Sequence, residues 1–438
     1  MKEWNGTLRS SNIRKQLTDN SIRRTYDSPW IYDIHTLVLT HGSMASSHVP
    51  KFICHLHCQN LTNRSASFPY PQTSPRTKKA YIVINPSDPK MSDNRLALFN
   101  IHTTPYKTVH GVEIPAHILI PKSITSNTQP GTRKYPVLVR FHGGYLVSGS
   151  ALYNEWLLPW TMDFVLQNSA ILVMPDYRLL PEATGQDILE DLKDFWAWFK
   201  SSGTFGLVAY FKSLDGGVGG GVGVDFEKVA VFGESAGGYL AIRSSLLPQN
   251  SGGNSFKGCK AVIASYPMTL LRGDWYAVAS EVKSPFGVPQ LDEGILDAHI
   301  GGIGKDGEKI VVSAEPPARL DVATVMVQRG RWTGIFERAG GEGLWLEDVI
   351  GEFGGGMKRG GKGAYLFTFH GTGDTAVPWE HTKEWVDIWG RKFGEDRVKG
   401  VWRVGMEHGF DGLIDLESGE GKWLKEELEV VRREWLGV

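Results

Sequence analysis

The chain has 438 residues, which suffices for one large α/β domain with insertions or for two domains. Apolar residues make up 41% of the sequence and can form a full hydrophobic core, while a formal net charge of −1 gives no reason to expect nucleic acid or an anionic membrane as a partner. No apolar run reaches the length of a membrane span (about 18 residues). No secretory signal is recognised, and three cysteines are too few for a disulfide framework, so we expect a protein of the reducing cytoplasm.

The composition changes near residue 90. Residues 1–90 hold two of the 52 glycines and five of the 13 histidines, and their net charge is +7 against −8 for the rest of the chain. They show no sustained apolar period, which is typical of a disordered or loosely attached extension. We hypothesise that residues 1–90 lie outside the working enzyme, or originate from a misplaced start codon, and that a hydrolase-like domain spans residues 91–438.

A cluster of possible metal ligands lies within this extension. Cys54 and Cys58 have His55 and His57 beside them, as in some zinc sites. The spacing lacks a second ligand pair at a suitable distance. We interpret the cluster as a chance arrangement and expect no metal.

From about residue 100 the pattern becomes that of an α/β protein. Short continuous apolar runs are typical of buried parallel strands. We predict such strands over residues 137–141, 170–174, 229–232, 261–264 and 365–369. Between them, apolar residues at helical spacing, such as Ile188, Leu192 and Phe195, predict helices. The alternation predicts a mostly parallel, doubly wound sheet, and ligands of such sheets bind beyond the carboxyl ends of the strands.

Two segments interrupt the alternation of strands and helices. Residues 216–223 are almost all Gly and Val and are interpreted as a surface linker, since a phosphate-binding loop would end in Lys-Ser/Thr and follow a strand. Residues 268–362 are too many for a simple crossover between two strands. We predict that they form an inserted helical cap over the site.

The third predicted strand ends in Gly233-Glu234-Ser235-Ala236-Gly237, which matches G-x-S-x-G and precedes a helical pattern. This strand–turn–helix context is that of a nucleophile elbow, in which a serine hydroxyl projects from a tight turn. Glycines on both sides relieve crowding against the neighbouring strand and helix. The pattern predicts Ser235 as a nucleophile.

An oxyanion hole is predicted from a second glycine-rich turn. His142, Gly143 and Gly144 directly follow the first predicted strand, and the backbone N–H groups of Gly143 and Gly144 can point at a tetrahedral oxyanion. The N–H of Ala236, just after the nucleophile, supplies another donor. A plain strand-ending turn is the alternative interpretation.

An acid and a histidine follow the last two strand-like runs. Asp374 comes after residues 365–369, and His408 comes after residues 401–404. The order Ser, Asp, His along the chain is that of the α/β-hydrolase triad, in which the imidazole takes the serine proton and the carboxylate orients the imidazole. His370 is a rival base, although its position at a strand end, four residues before the acid, better suits shaping of the loop.

Three motifs together resemble the hormone-sensitive-lipase-like, fold-3 group of the α/β-hydrolase superfamily. They are the turn beginning at His142, the stretch DYRLLPE from Asp176 to Glu182, and the G-x-S-x-G around Ser235. The resemblance covers about residues 100–415. It implies carboxylic-ester hydrolysis without a metal or organic cofactor, by a carboxylesterase-like or lipase-like serine enzyme with the triad Ser235, Asp374 and His408.

The chain departs from this group in two places. Many members have a third glycine where this chain has Tyr145, whose N–H can join the oxyanion hole while its side chain narrows the acyl pocket. The acid loop around Asp374 is more similar to that of peptidase-like hydrolases, and the cap is more similar to fungal-type members. Aromatic residues of the cap are candidate pocket residues, namely Trp275, Tyr276, Phe286, Trp332, Phe336 and Trp345.

The predicted function is therefore hydrolysis of an ester of a small apolar molecule through an acyl-enzyme. The acid loop keeps an amide or peptide hydrolase open as an alternative. A non-catalytic member that binds a small molecule is a second alternative, against which the presence of all three triad residue types argues. A tailoring hydrolase or thioesterase of fungal-like secondary metabolism is a third.

Overall fold

The computed structural model describes residues 95–125, 133–214, 221–247, 258–303, 309–353 and 363–438. The predicted extension, including the cluster at Cys54 and Cys58, lies outside the described residues, so those interpretations stay predictions. No helix in the described ranges is long and apolar enough to cross a membrane.

The centre of the structure is an eight-stranded sheet with the order β1-β2-β4-β3-β5-β6-β7-β8. β1 and β2 are antiparallel to each other and β2 is antiparallel to β4, whereas all other neighbours are parallel. The predicted mostly parallel sheet is therefore confirmed. The strands are β1 Phe99–Val109, β2 Val112–Pro121, β3 Arg133–Phe141, β4 Ile171–Pro175, β5 Val222–Glu234, β6 Ala261–Ser265, β7 Tyr365–Gly371 and β8 Val398–Arg403.

Helices connect the strands and cover both faces of the sheet. The predicted face of Ile188, Leu192 and Phe195 is buried on one helix, which begins with a capping box between Thr184 and Asp187. The helices are α1 Lys122–Thr125, α2 Pro159–Gln167, α3 Gly185–Phe199, α4 Leu207–Ser213, α5 Ala236–Ser245, α6 Asp274–Ala277, α7 Gly294–Gly302, α8 Leu320–Gln328, α9 Trp332–Phe336, α10 Leu346–Glu352, α11 Trp379–Phe393 and α12 Lys422–Leu436.

Two hydrophobic cores lie on opposite faces of the sheet. Successive side chains of a strand point to opposite faces, so Val137 and Val139 join one core while Leu138 joins the other. The first core packs against α3 and α5. The second packs against α2 and α12. The carboxyl ends of the parallel strands are thus held in fixed positions at one edge of the sheet.

The segment between β6 and β7 contains α6 to α10, in agreement with the predicted helical insertion, and is called the cap below. Residues of the DYRLLPE stretch hold it. The side chain of Glu182 is almost completely buried and accepts a hydrogen bond from Arg319 of the cap, and His299 Nε2 lies 3.1 Å from the same carboxylate. Arg178 instead binds Asp191 of α3 at 2.9 Å. This motif therefore joins the sheet, α3 and the cap.

Candidate active site

Ser235 lies on the sharp turn between β5 and α5. Its φ of 55° and ψ of −119° are unusual for a residue with a side chain, and such strained positions cluster at active sites. A Cβ on Gly233 would lie 2.0 Å from the carbonyl oxygen of Gly237, and a Cβ on Gly237 would lie 2.0 Å from that of Phe141. Only glycine fits at either position, which is the crowding that the G-x-S-x-G pattern predicts.

Asp374 and His408 are brought together from the ends of β7 and β8. His408 Nδ1 lies 2.7 Å from Asp374 Oδ2, and the Asp374 side chain is completely buried. The carboxylate contacts Nδ1, so the other ring nitrogen of His408, Nε2, is the one that does not face Asp374. This contact joins two residues that the sequence analysis selected separately.

The Asp374 carboxylate is fully hydrogen-bonded. Oδ1 accepts from the N–H groups of Ala376 and Val377, each at 2.8 Å, and Oδ2 lies 2.9 Å from His370 Nε2 as well as 2.7 Å from His408. Burial alone would raise the pKa of Asp374, but the two histidines outweigh it and hold the pKa well below its usual range. Asp374 is therefore a permanent anion at neutral pH.

His370, the rival base, is completely buried. Its Nδ1 lies 2.8 Å from Thr382 Oγ1, and its Nε2 contacts Asp374 and the carbonyl oxygen of Val377. With both ring nitrogens engaged and no exposed surface, it cannot reach a substrate. It contacts the acid loop, as its position in the sequence suggested.

Aromatic rings pack on the imidazole of His408. The ring of Tyr266, directly after β6, lies 4.4 Å from it between centroids, and the Tyr266 hydroxyl donates to the buried Asp411 at 2.8 Å. Phe286 of the cap lies 5.4 Å from the same imidazole at an interplanar angle of 79°. Sequence reasoning did not select Tyr266, because a single aromatic residue after a strand has no distinguishing pattern.

Tyr266 also connects the imidazole to the nucleophile turn. The backbone N–H of Ser235 donates to the carbonyl of Ser265 at 2.9 Å, and Ser265 immediately precedes Tyr266. Within the described ranges, no hydrogen bond joins Ser235 Oγ to His408. Catalytic hydrogen bonds in substrate-free enzymes are often long and tighten only when substrate binds.

The segment from Gly143 to Tyr145 lies against the elbow. A Cβ on Gly143 would lie 3.3 Å from the Cβ of Ser235, so this backbone approaches Ser235 closely. Gly144, Tyr145 and Leu146 all have positive φ, at 98°, 58° and 62°. This turn places a strained backbone beside the serine, as expected for a functional segment.

The N–H groups near Ser235 differ in their partners. That of Gly143 donates to Glu234 Oε1 at 3.3 Å, which is at odds with its predicted role as an oxyanion donor. Among the described residues, nothing accepts a hydrogen bond from the N–H of Gly144 or of Ala236. Gly144 and Ala236 therefore stay predicted donors, while Gly143 positions the turn.

Glu234 directly precedes Ser235 in the motif and was not selected from the sequence. Its side chain is buried, and Oε1 pairs with the guanidinium of Arg140, which is buried on β3. Burial raises the pKa of Glu234 to about 7 against the opposing charge of Arg140. A carboxylate inside an elbow requires a cation nearby, but nothing local in the sequence identifies that cation.

Three of the predicted pocket residues, Tyr145, Trp275 and Trp332, have different surroundings. The Tyr145 hydroxyl and the Trp275 indole N–H both donate to the carbonyl of Ala376, at 2.7 and 3.0 Å, and so anchor the acid loop. Trp332 is completely buried and donates to the Tyr145 carbonyl at 2.9 Å. Trp332 therefore belongs to the core. Phe286, which is 48% exposed, is better placed to meet a substrate.

No group of three or more His, Cys, Asp or Glu side chains in the described ranges is arranged to hold a metal ion.

Comparison with known proteins agrees with this geometry. Residues 138–298 match the family model described as the alpha/beta hydrolase fold. The chain has the α/β-hydrolase fold. The matched residues include the turn at His142, the DYRLLPE stretch and the elbow, so the resemblance to the fold-3 group is confirmed and the protein is a hydrolytic enzyme.

Relatives of this α/β-hydrolase are found in fungi. "Probable carboxylesterase M8" of Phoma sp. is 25% identical over 351 residues, which are 78% of this chain and 98% of that protein. "Probable carboxylesterase clz11" of Cochliobolus lunatus is 40% identical over 80 residues, 18% of this chain and 33% of that protein. "Non-reducing polyketide synthase atr1" of Stereocaulon alpinum is 28% identical over 160 residues, 35% of this chain and 6% of that protein.

Proposed function

We propose that this hydrolase cleaves carboxylic esters of small apolar molecules, with Ser235 as nucleophile, His408 as base and Asp374 as the acid that orients it. The contact between Asp374 Oδ2 and His408 Nδ1, at 2.7 Å, carries this proposal. It orients one imidazole nitrogen away from the carboxylate, at the edge of the sheet where β5 presents Ser235. The names of the M8 and clz11 relatives, both carboxylesterases, support the same reaction.

The reaction proceeds in two half-reactions. His408 Nε2 takes the proton of the Ser235 hydroxyl while Oγ bonds to the ester carbonyl carbon, and the carbonyl electron pair moves to oxygen. The C–O bond to the alcohol then breaks, and the alcohol leaves with the proton from His408. Water, deprotonated by His408, repeats the attack on the acyl-enzyme and releases the acid.

The developing oxyanion is stabilised by backbone N–H groups. We assign this role to Gly144 and Ala236, whose N–H groups have no acceptor among the described residues, together with the N–H of Tyr145. Loss of one such donor costs on the order of 100-fold in rate. Gly143 holds the turn through its contact with Glu234.

The substrate is expected to be apolar close to the scissile bond. The aromatic ring of Phe286 packs beside His408, and the aromatic side chains of Trp275 and Tyr145 contact the acid loop. An acyl thioester is the second candidate, because part of the chain is similar to the non-reducing polyketide synthase atr1 and a thioester carbonyl would react with Ser235 in the same way as an ester carbonyl. The sparse cysteines also support our proposal that the enzyme acts in the cytoplasm.

Labelling with a fluorophosphonate probe tests the nucleophile. We expect the wild-type chain and Ser245→Ala to be labelled and Ser235→Ala to be unlabelled. Ser245 is the matched control, since it lies on α5 and is as buried as Ser235, each 6% exposed. A folded wild-type chain that does not react would contradict the hydrolase mechanism and favour a non-catalytic binding protein.

A substrate panel then separates the reaction classes. It contains p-nitrophenyl esters from acetate to octanoate, N-acetylcysteamine thioesters and aminoacyl anilides. We expect the highest kcat/KM on oxygen esters. Faster turnover of the anilides would establish the peptidase alternative, and faster turnover of the thioesters would establish the second candidate.

A further inference from the structure

Two imidazoles contact the carboxylate of the proposed triad acid. Asp374 Oδ2 lies 2.7 Å from His408 Nδ1 and 2.9 Å from His370 Nε2, while Oδ1 accepts only backbone N–H groups. The oxygen that orients the base is thus shared with a second ring. His370 takes no part in the mechanism described above, yet both of its ring nitrogens are engaged.

The protonation of His370 follows from its neighbours. Its Nε2 lies 3.1 Å from the carbonyl oxygen of Val377, which can only accept a hydrogen bond. Nε2 must therefore carry a proton, which it donates towards Val377 and Asp374. Nδ1 lies 2.8 Å from the hydroxyl of Thr382, which also lies 3.4 Å from the carbonyl oxygen of Pro267. The ring is an obligate donor to the acid.

The ring is also rigidly held. His370 and Thr382 are both completely buried, and they belong to different elements, β7 and α11. The imidazole thus bridges the strand end, the acid loop and a helix. A side chain fixed at both nitrogens holds its donor in a defined position, which is what precise orientation of a catalytic group requires.

We propose that His370 is a positioning residue that fixes Asp374 Oδ2 and withdraws part of its negative charge from His408, so that His408 stays neutral and able to accept a proton. This inference rests on the proposed function of the triad. A hydrogen bond to a carboxylate lowers its basicity, so the carboxylate stabilises a neighbouring imidazolium less.

Other titratable groups face the two histidines and stay unchanged in the variants below. Glu407 accepts the backbone N–H of His408 at 2.8 Å, and Asp411 and His381 interact electrostatically with His408 and His370 respectively. The buried tyrosines near Asp374 and His408 are Tyr145, Tyr266 and Tyr276. A change in the pH profile of a His370 variant is then due to His370.

The test compares His370→Leu, which removes the donor, with His370→Gln, whose amide N–H can replace Nε2–H. The pH dependence of kcat/KM and the separate values of kcat and KM are measured on p-nitrophenyl butyrate. For His370→Leu we expect kcat to fall by roughly 10- to 100-fold with little change in KM, since base catalysis is impaired and binding is not. The acid limb of the kcat/KM profile, where activity falls as the pH is lowered, should move to higher pH by about one unit. Without the hydrogen bond from His370, the full charge of Asp374 favours the His408 imidazolium.

Controls separate positioning from general damage. His381→Gln alters a neighbouring, partly buried histidine that makes no hydrogen bond to Asp374 among the described contacts, and it should behave as wild type. His370→Gln should recover most of kcat and the acid limb. If His370→Leu does not fold, Thr382→Val keeps the His370 ring but removes the partner of Nδ1, and we expect a smaller shift of the acid limb in the same direction.

The inference is overturned if His370→Leu, or Thr382→Val where the former does not fold, has the wild-type acid limb and kcat. It is equally overturned if His370→Gln and His381→Gln lose as much activity as His370→Leu. These results differ from failure of the proposed function, in which the wild-type chain itself would show no fluorophosphonate labelling at Ser235.

Discussion

Because the carboxylate of Glu234 is buried, we expect the free energy of unfolding of the protein to depend on pH. Burial raises its pKa from the ordinary value of 4.5 to about 7, although the Arg140 guanidinium pairs with it. In the folded state Glu234 therefore holds a proton over a pH interval in which the unfolded chain has released it. The substitution Glu234→Gln removes this titration and keeps an oxygen that accepts the Gly143 N–H.

The sign and size follow from proton linkage. Where the folded state binds more protons than the unfolded state, the free energy of unfolding falls as the pH rises. The stabilisation by the raised pKa is complete below pH 4.5 and is lost as the pH rises to about 7. At 1.36 kcal/mol per pKa unit, the loss is about 3 kcal/mol over the whole interval.

The assay is urea unfolding of the wild type and of Glu234→Gln at a series of pH values from 4 to 8. Every other group titrates in both proteins, so the difference between their free energies of unfolding isolates Glu234. We expect this difference, wild type minus variant, to decrease by about 3 kcal/mol from the lowest to the highest pH. A difference that is flat, or that rises with pH, would refute the reasoning and would mean that Arg140 keeps Glu234 ionised throughout.

Three further outcomes are expected. Asp374→Asn should retain the fold but lower kcat on the order of 10⁴-fold, because an amide stabilises the wrong tautomer of His408, and steady-state kinetics beside a melting curve would check this. Phe286→Ala should raise the ratio of kcat/KM for octanoate over acetate by roughly 10-fold, whereas Phe205→Ala, an exposed phenylalanine before α4, should leave it unchanged. A chain that begins at Met91 retains all described elements and should keep full activity; an inactive or insoluble product would show that residues 1–90 are required.

The centre of the sheet could be predicted from the sequence because its strands are buried on both faces. β4 and β6 are entirely buried, and a continuous apolar run is the signal of such a strand. The antiparallel β1 and β2 were not predicted. Exposed and partly buried residues alternate along much of β1, and such an edge strand has no continuous apolar run.

The contrast between continuous and alternating burial also explains why the prediction for the glycine-rich segment was partly wrong. Residues 216–223 were interpreted as a linker, yet β5 already begins at Val222. Val222, Val224 and Phe226 are buried at alternate positions, so one face of this part of β5 packs on the core. The alternation of buried and partly buried positions covers only a few residues next to the glycine-rich stretch. Such a short pattern does not distinguish a strand from a linker in the sequence.

Within the site, the sequence selected those residues whose chemistry is encoded in short local patterns. Asp374 and His408 each follow a strand, and the structure brings them into contact. The ion pair between Glu234 and Arg140 joins residues 94 positions apart and has no local signature. Phe286 was one of several aromatic candidates for the substrate pocket. Its ring is exposed whereas that of Trp332 is buried, and this difference is visible only in the folded structure.

The two hydrogen bonds to the carbonyl of Ala376 have a consequence for redesign. One donor comes from Tyr145 beside the nucleophile and the other from Trp275 of the cap, so one peptide group ties three distant parts of the chain together. Grafting a cap from another hydrolase to change the acyl preference would remove Trp275 and leave that oxygen with a single donor. A successful chimera must therefore bring an indole or an equivalent N–H to the same place, whatever the shape of its new pocket.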